Sequence, residues 1–250
     1  TIKNCTISLK SGNWYISFQV EQKVAAPVHE STSSVGLDVG IAKFVTLSDG
    51  TQKKPESPYR NYEKQLAVEQ RSLSRKVKFS ENWKKQKTKI QKLHSKIANC
   101  RKDFLHKTSF EISNSHAMIA IEDLKVSNMS KSAKGNSENH GKNVKAKSGL
   151  NKSILDQGWF EFRRQLEYKQ QWKGGILIPI PAQYTSQTCP CCGHVSKDNR
   201  KTQADFLCVE CRYENNADIG GALNVLERGH RLLACEVSGA TMPPATGTCH

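Results

Sequence analysis

The sequence predicts an α/β protein in which short apolar strands alternate with helices, a long helical hairpin is inserted between strands, and a zinc ribbon interrupts the chain near its end. Three observations carry that expectation. Apolar runs of strand length recur at 34–47, 117–121 and 176–180. Between the first two, apolar residues return at steps of three and four, the period of an amphipathic helix. Late in the chain, Cys189 and Cys192 form one C-x2-C and Cys208 and Cys211 another, at a separation that suits four thiolates closing a tetrahedral shell around structural Zn2+.

Residues 2–9 and 13–20 alternate in character across Ser11-Gly12-Asn13 and predict a β-hairpin, the end of a β-rich domain. A polar stretch over 22–34 follows and reads as a linker. The run SVGLDVGIAKFVTLSDGTQKK then predicts strand, bend, strand, with Asp49-Gly50 turning into a third strand. Asp38 lies inside this apolar run, where an unpaired carboxylate is costly to bury, and Gly36 and Gly40 flank it. On its own, a strand aspartate is more often a satisfied structural residue than a ligand.

Residues 59–117 predict two helices paired as an antiparallel hairpin with its turn near Phe79-Ser80-Glu81, and Ile90, Leu93, Ile97, Cys100 and Phe104 form the apolar stripe of the second. The opposite face is dominated by Lys and Arg, including Lys85, Lys89 and Lys92. Such an imbalance repels itself unless phosphates lie nearby, although a charge run is also an ordinary solvated face. AMIAI at 117–121 predicts a buried strand ending at Glu122-Asp123, and 125–148 predicts a mobile basic loop suited to a lid over nucleic acid. Residues 150–171 predict one amphipathic helix with Arg163 and Arg164 on its polar side, stopped by Gly174-Gly175. A strand over 176–180, the cysteine segment and a last helix with Asp218 in its first turn complete the order, and the tail from His230 reads as disordered.

In the cysteine segment, Cys191 is a spare thiol. Cys192 is the preferred ligand because Gly193 after it admits the positive φ of a tight turn. Two disulfides are the competing reading; a chain opening TIKNCTISLK, without an apolar leader, favours a reducing, cytoplasmic setting and therefore metal. The net charge of +15 and the absence of any long apolar run imply a polyanionic partner, DNA or RNA first, and no membrane span.

Taken in order, GLDVG, IAIEDLK and NNADIGGALN resemble the three motifs of a RuvC-type nuclease domain with the ribonuclease H fold, and YTSQTCPCCG with CVEC resembles the ribbon of the TnpB, or OrfB, proteins of insertion sequences. The resemblance covers roughly 34–229. It implies a ribonuclease H-like mixed sheet, and a DNA endonuclease, RNA-guided when full length, in which Asp38, Glu122 and Asp218 hold two catalytic Mg2+ ions. Asp123 falls outside that triad, since neighbours on a strand point to opposite faces. DNA and a guide RNA are the implied partners, with Lys85, Lys89, Lys92, Arg163 and Arg164 as expected backbone contacts. The organisation expected is a remnant of a wedge-like β domain and linker over 1–33, a nuclease core over 34–184 with its basic insertion at 59–117, the ribbon over 185–215, the final helix over 216–229 and the tail over 230–250. Proteins of this family carry more sequence upstream, so a truncated or partial chain is expected. A zinc-bearing nucleic-acid-binding protein with inert acids, and a strand-transfer transposase using a similar triad, are the alternatives.

Overall fold

A computed structural model describes residues 1–238, with side chains through Cys235. Its centre is a five-stranded mixed sheet in the order β5-β4-β3-β6-β7. Strand β3 (Ser34–Val39) pairs antiparallel with β4 (Val45–Leu47), which pairs with β5 (Gln52–Lys53). On its other side β3 runs parallel to β6 (Met118–Glu122), and β6 runs parallel to β7 (Ile176–Ile180). Pro179, a residue that ordinarily closes a strand, lies within this one, opposite Ile121. It is tolerated because β7 is the sheet's edge, where a missing N–H disrupts no further ladder.

Side chains on a strand alternate between faces, and this sheet uses both. Val35, Leu37, Ile119 and Ile121 point into a core shared with Leu105, Ile112, Phe162 and Leu166 of the helical layer. That layer comprises α1 (Pro58–Ser74), α2 (Glu81–Ser115), α4 (Val144–Gln157) and α5 (Trp159–Lys173), with α3 (Val126–Met129) as a single turn before α4. The opposite face carries one helix, α6 (Ala217–Ser238), seated over β3 and β6. Contact there is so close that a Cβ on Gly36 would come within 2.1 Å of the Ala222 carbonyl oxygen, and one on Gly229 within 2.6 Å of the Ala120 Cβ. Ala120, Ile180 and Val225 fill the seam between sheet and helix.

The helical hairpin forms as expected. Ser80 caps α2 by accepting from the Trp83 N–H, and Leu66 of α1 packs on Ile90, Leu93 and Ile97. Ser57 makes no side-chain cap at α1, and buried Asp156 supplies it from a distance, accepting from the N–H groups of Tyr59 and Arg60 while paired to Arg101 at 2.8 Å.

Three expectations need correction. The helix expected over 150–171 is two helices broken at Gly158, whose φ of +74° is left-handed. The loop expected over 125–148 contains α3, and α4 already begins at Val144. The last helix passes Gly229 and continues to Ser238, so 230–238 is helical, because Val225 and Leu232 share one apolar contact with the sheet; 239–250 lie outside the described residues. At the other end, β1 (Ile2–Lys10) and β2 (Asn13–Val20) form a separate two-stranded hairpin turned by Ser11 and Gly12, both at positive φ, and the Ser11 hydroxyl meets the Ser95 hydroxyl of α2 at 2.6 Å. No helix among the described residues is long and apolar enough to cross a membrane.

Candidate functional site

The two-residue period of the strands decides where the acids go. Gly36 faces α6, and so does Asp38 two residues later; Ala120 faces α6, and so does Glu122. In the parallel pairing Leu37 lies opposite Ile121, which brings the next residue of each strand, Asp38 and Glu122, to the same end of the sheet. Asp218 comes from the first turn of α6, where the Asn216 side-chain oxygen caps the helix by accepting from the Asp218 and Ile219 N–H groups at 3.0 and 3.3 Å. The absence of a side chain at Gly221 leaves space for Asp38, whose Oδ2 would lie 3.0 Å from a Cβ placed there. All three acids are half-buried.

Their charges act on one another. Burial, followed by the charges of Glu122 and then Asp218, pushes Asp38 up to about 7, against a smaller lowering effect of Arg200. Burial also raises Glu122, opposed by a hydrogen bond from the Thr185 hydroxyl and by the Arg228 guanidinium. Asp218 has Arg200 at 3.9 Å. A half-buried group of three carboxylates with one held partly protonated is short of positive charge, and its hard oxygen donors suit a divalent cation of the Mg2+ type. The residues fit such an ion in chemistry and in sidedness. They are spread more widely than the thiols described next: among the described residues, only the four cysteines form a group of possible ligands whose donor atoms all lie within 4.8 Å of one another.

Those cysteines are Cys189, Cys192, Cys208 and Cys211. Sγ separations of 3.6 Å for Cys189–Cys211 and for Cys192–Cys208 approach the edge of a tetrahedron with metal–sulfur bonds of about 2.3 Å, roughly 3.8 Å. Gly193 takes the expected positive φ, +76°. Burial pushes the Cys189 thiol up to about 12. Burial also acts to raise Cys208, but N–H donors of Cys211 and Glu210 and the neighbouring thiols outweigh it and bring that thiol down to about 6. Such a set can hold a metal ion through deprotonated sulfurs. Cys191 is exposed and outside the cluster.

The expected phosphate contacts divide into two kinds. Lys85, Lys89 and Lys92 stand exposed along α2. Arg163 is instead paired with Asp123, and Arg164 is held by both oxygens of Glu161 at 2.8 Å. Asp123 points away from Glu122 toward α5, as strand alternation requires, which is why Arg163 meets it.

Several residues of the site carry no advance signal. Thr185 hydrogen-bonds Glu122, and Asn224 of α6 ties that segment down by donating to the carbonyls of Thr185 and Thr188 at 2.9 and 2.7 Å. Arg200 reaches Asp218 from a loop between the two cysteine pairs. Thr185 at least lies within a motif; Arg200 sits among other Lys and Asp residues with nothing to single it out.

Comparison with known proteins finds relatives over most of the chain. Residues 17–133 match the OrfB_IS605 family, described as "Probable transposase", and residues 159–225 match the Cas12f1-like TNB domain. The chain is 59% identical over 234 residues to "Putative RNA-guided DNA endonuclease InsQ" of Escherichia coli K12, covering 94% of this chain and 58% of the relative. It is 33% identical over 227 residues to a "Putative RNA-guided DNA endonuclease" of Streptomyces pristinaespiralis, covering 90% of this chain and 52% of that one. The chain thus spans little more than half the length of these relatives. A solved Cas12f1–sgRNA–target DNA complex shares the fold, with a TM-score of 0.52 at 18% identity over 88% of this chain and 55% of that one. These matches make the chain similar to the OrfB proteins of insertion sequences over 17–133 and to the Cas12f1-like TNB domain over 159–225.

Proposed function

We propose that this chain carries the catalytic part of a metal-dependent DNA endonuclease of an insertion sequence, with a ribonuclease H-like core of the RuvC type and RNA guidance in its full-length form. The observation that carries the reading is Asp38, half-buried between two further acids and pushed up to about 7. A site that merely bound nucleic acid would gain nothing from clustered negative charge, which repels phosphate. Asp38, Glu122 and Asp218 would hold Mg2+. When bound, the ions supply an activated water and charge stabilisation at the leaving oxygen. Thr185 orients Glu122 through its hydroxyl, Asn224 fixes the Thr185 segment on α6, and Arg200 compensates Asp218 until a cation takes its place. Arg200 is also placed to meet a phosphate approaching the acids.

Cys189, Cys192, Cys208 and Cys211 would hold structural Zn2+, a closed shell with no position left for substrate. Lys85, Lys89 and Lys92 would bind the backbone of DNA or of a guide RNA, and the likeness to proteins named as RNA-guided DNA endonucleases supports both partners. A cytoplasmic location follows from such partners.

Mn2+ titration followed by electron paramagnetic resonance tests the site without requiring the rest of a longer protein. The wild-type chain should bind Mn2+ at the acids and Asp38→Asn should bind it at least tenfold more weakly, with any Mg2+-dependent DNA cleavage lost in the same variant. Unchanged Mn2+ affinity and unchanged cleavage would leave a non-catalytic nucleic-acid-binding protein as the better account.

A further inference from the structure

Helix α5 carries Phe160, Arg164, Tyr168 and Trp172 at steps of four, so each side chain neighbours the next along an oblique row about 18 Å long that turns about 120° around the helix. Phe160 and Trp172 are each 74% exposed, while the other side of the same helix buries Trp159, Phe162 and Leu166. Exposed rings of that size gain nothing from the fold. Part of the row is stacked: the Tyr168 and Trp172 rings lie 4.7 Å apart, and the Arg164 guanidinium sits 5.6 Å over Tyr168. Beyond Trp172 the surface continues with Lys173, 5.4 Å over the half-exposed ring of Phe110.

At its other end the row runs into a cavity of about 750 Å³. The cavity combines an apolar wall that includes Leu155, Trp159 and Phe160 with cationic Lys125, Arg163 and Arg164 and acidic Glu122, Asp123 and Glu167, within the size range of small-molecule sites.

We infer that the α5 row is a stacking track for single-stranded nucleic acid. The inference rests on the nuclease reading and adds to it the surface that holds the strand. A duplex keeps its base faces inside the stack and cannot offer them to a row of rings, whereas an unpaired strand offers a π-face at every nucleotide. Lys173 supplies positive charge for a phosphate backbone running beside the rings, while Arg164, held by Glu161, extends the stacking surface over Tyr168. An acidic protein segment would answer to the cations but not to the ladder of rings.

Equilibrium binding of the whole chain to three fluorescent probes tests this: a short thymidine oligonucleotide, an abasic phosphodiester strand of the same length, and a duplex. Wild type should hold the thymidine strand more tightly than the abasic one. Phe160→Ala and Trp172→Ala should each lose about fivefold or more on the thymidine strand, the low end for one base stacked on an aromatic ring, with abasic and duplex affinities unchanged and Trp172→Phe recovering most of the loss. Equal losses on all three probes, or no loss on the thymidine strand while wild type still binds it, would overturn the track and leave the nuclease reading standing. Wild type binding none of the probes would overturn both.

Discussion

The carboxylate group is gathered from distant parts of the chain and the cysteine group from the single segment 189–211, and the two are held in different ways. The four sulfurs sit at close to tetrahedral spacing in a segment whose only regular structure is the two-stranded ribbon of β8 (Asp205–Leu207) and β9 (Glu214–Asn216) with a short 3-10 turn. Little apolar burial surrounds them beyond Phe206, Ala217 and Tyr213. The three acids stand on the main sheet and on a helix packed against it, so the core places them whether or not a cation is bound. A region with too small a core depends on its metal for folding; a region with a full core can keep an electrostatically unfavourable cluster and use metal for something else.

The largest effect should follow from removing zinc. Cys208→Ser should reduce bound zinc from about one equivalent to none, since structural zinc contributes on the order of 10 kcal/mol to folding a site of this kind. Elemental analysis reads the metal, and hydrogen exchange should show protection lost across 189–216 and retained in β3 and β6. Loss of protection in the sheet as well would erase the contrast between the regions.

Next comes the pH dependence of the acids. Asp38 stands raised in the folded chain, at about 7 against 3.8. Its proton is therefore held more tightly in the folded state, so its contribution to stability is fully present below the unfolded value and is lost as pH rises through about 7. In magnesium-free buffer the urea midpoint should fall from pH 5.5 to pH 8 by an amount corresponding to about 2 kcal/mol from this group, the rest of its contribution being lost already between the unfolded value and pH 5.5. Asp38→Asn should flatten that dependence, and added Mg2+ should restore the midpoint at pH 8. A wild-type midpoint insensitive to both would mean that the acids are not coupled.

A third test asks whether the core really places the acids. Gly36→Ala puts a Cβ within 2.1 Å of the Ala222 carbonyl oxygen and should cost about 1–3 kcal/mol by forcing α6 off the sheet. Because Asp218 rides on α6, Mn2+ affinity should fall in this variant although no ligand is altered, while zinc content stays at one equivalent. The smallest effect on stability is expected from Lys85, Lys89 and Lys92 changed together to Glu: under about 0.5 kcal/mol, as for surface substitutions generally. Nucleic-acid binding should nonetheless weaken, with the salt slope reduced by about 0.9 for each phosphate that is no longer neutralised. An unchanged slope would place the backbone elsewhere.

Much of the fold and of the site is legible in the sequence wherever the information is local. The cysteine spacing, the hairpin period of α1 and α2 and the alternation in β3 and β6 each express the geometry of a few neighbouring residues. The two helix corrections arise where local signals compete. Gly158 interrupts an otherwise continuous helical pattern, and only the packing of Arg101 and Leu105, 3.1 and 3.2 Å from where its Cβ would be, shows why the left-handed break is kept. Past Gly229 the helical period competes with the polar composition around His230, and the period prevails because Leu232 has a partner surface over which the helix continues.

By itself, then, the sequence determined which residue types recur at which period, and so which faces of which strands the acids occupy and that four cysteines can share one ion. The tertiary structure decided what those faces meet. Parallel pairing of β3 with β6 set Asp38 beside Glu122, the bare surface of Gly221 let α6 settle over Asp38, and Arg200 arrived at Asp218 from a loop of no distinguishing composition. Alternation and helical period are consequences of backbone geometry over a few residues and can be read from any stretch of chain, whereas the partner of a half-buried charge depends on which distant segments the core brings together.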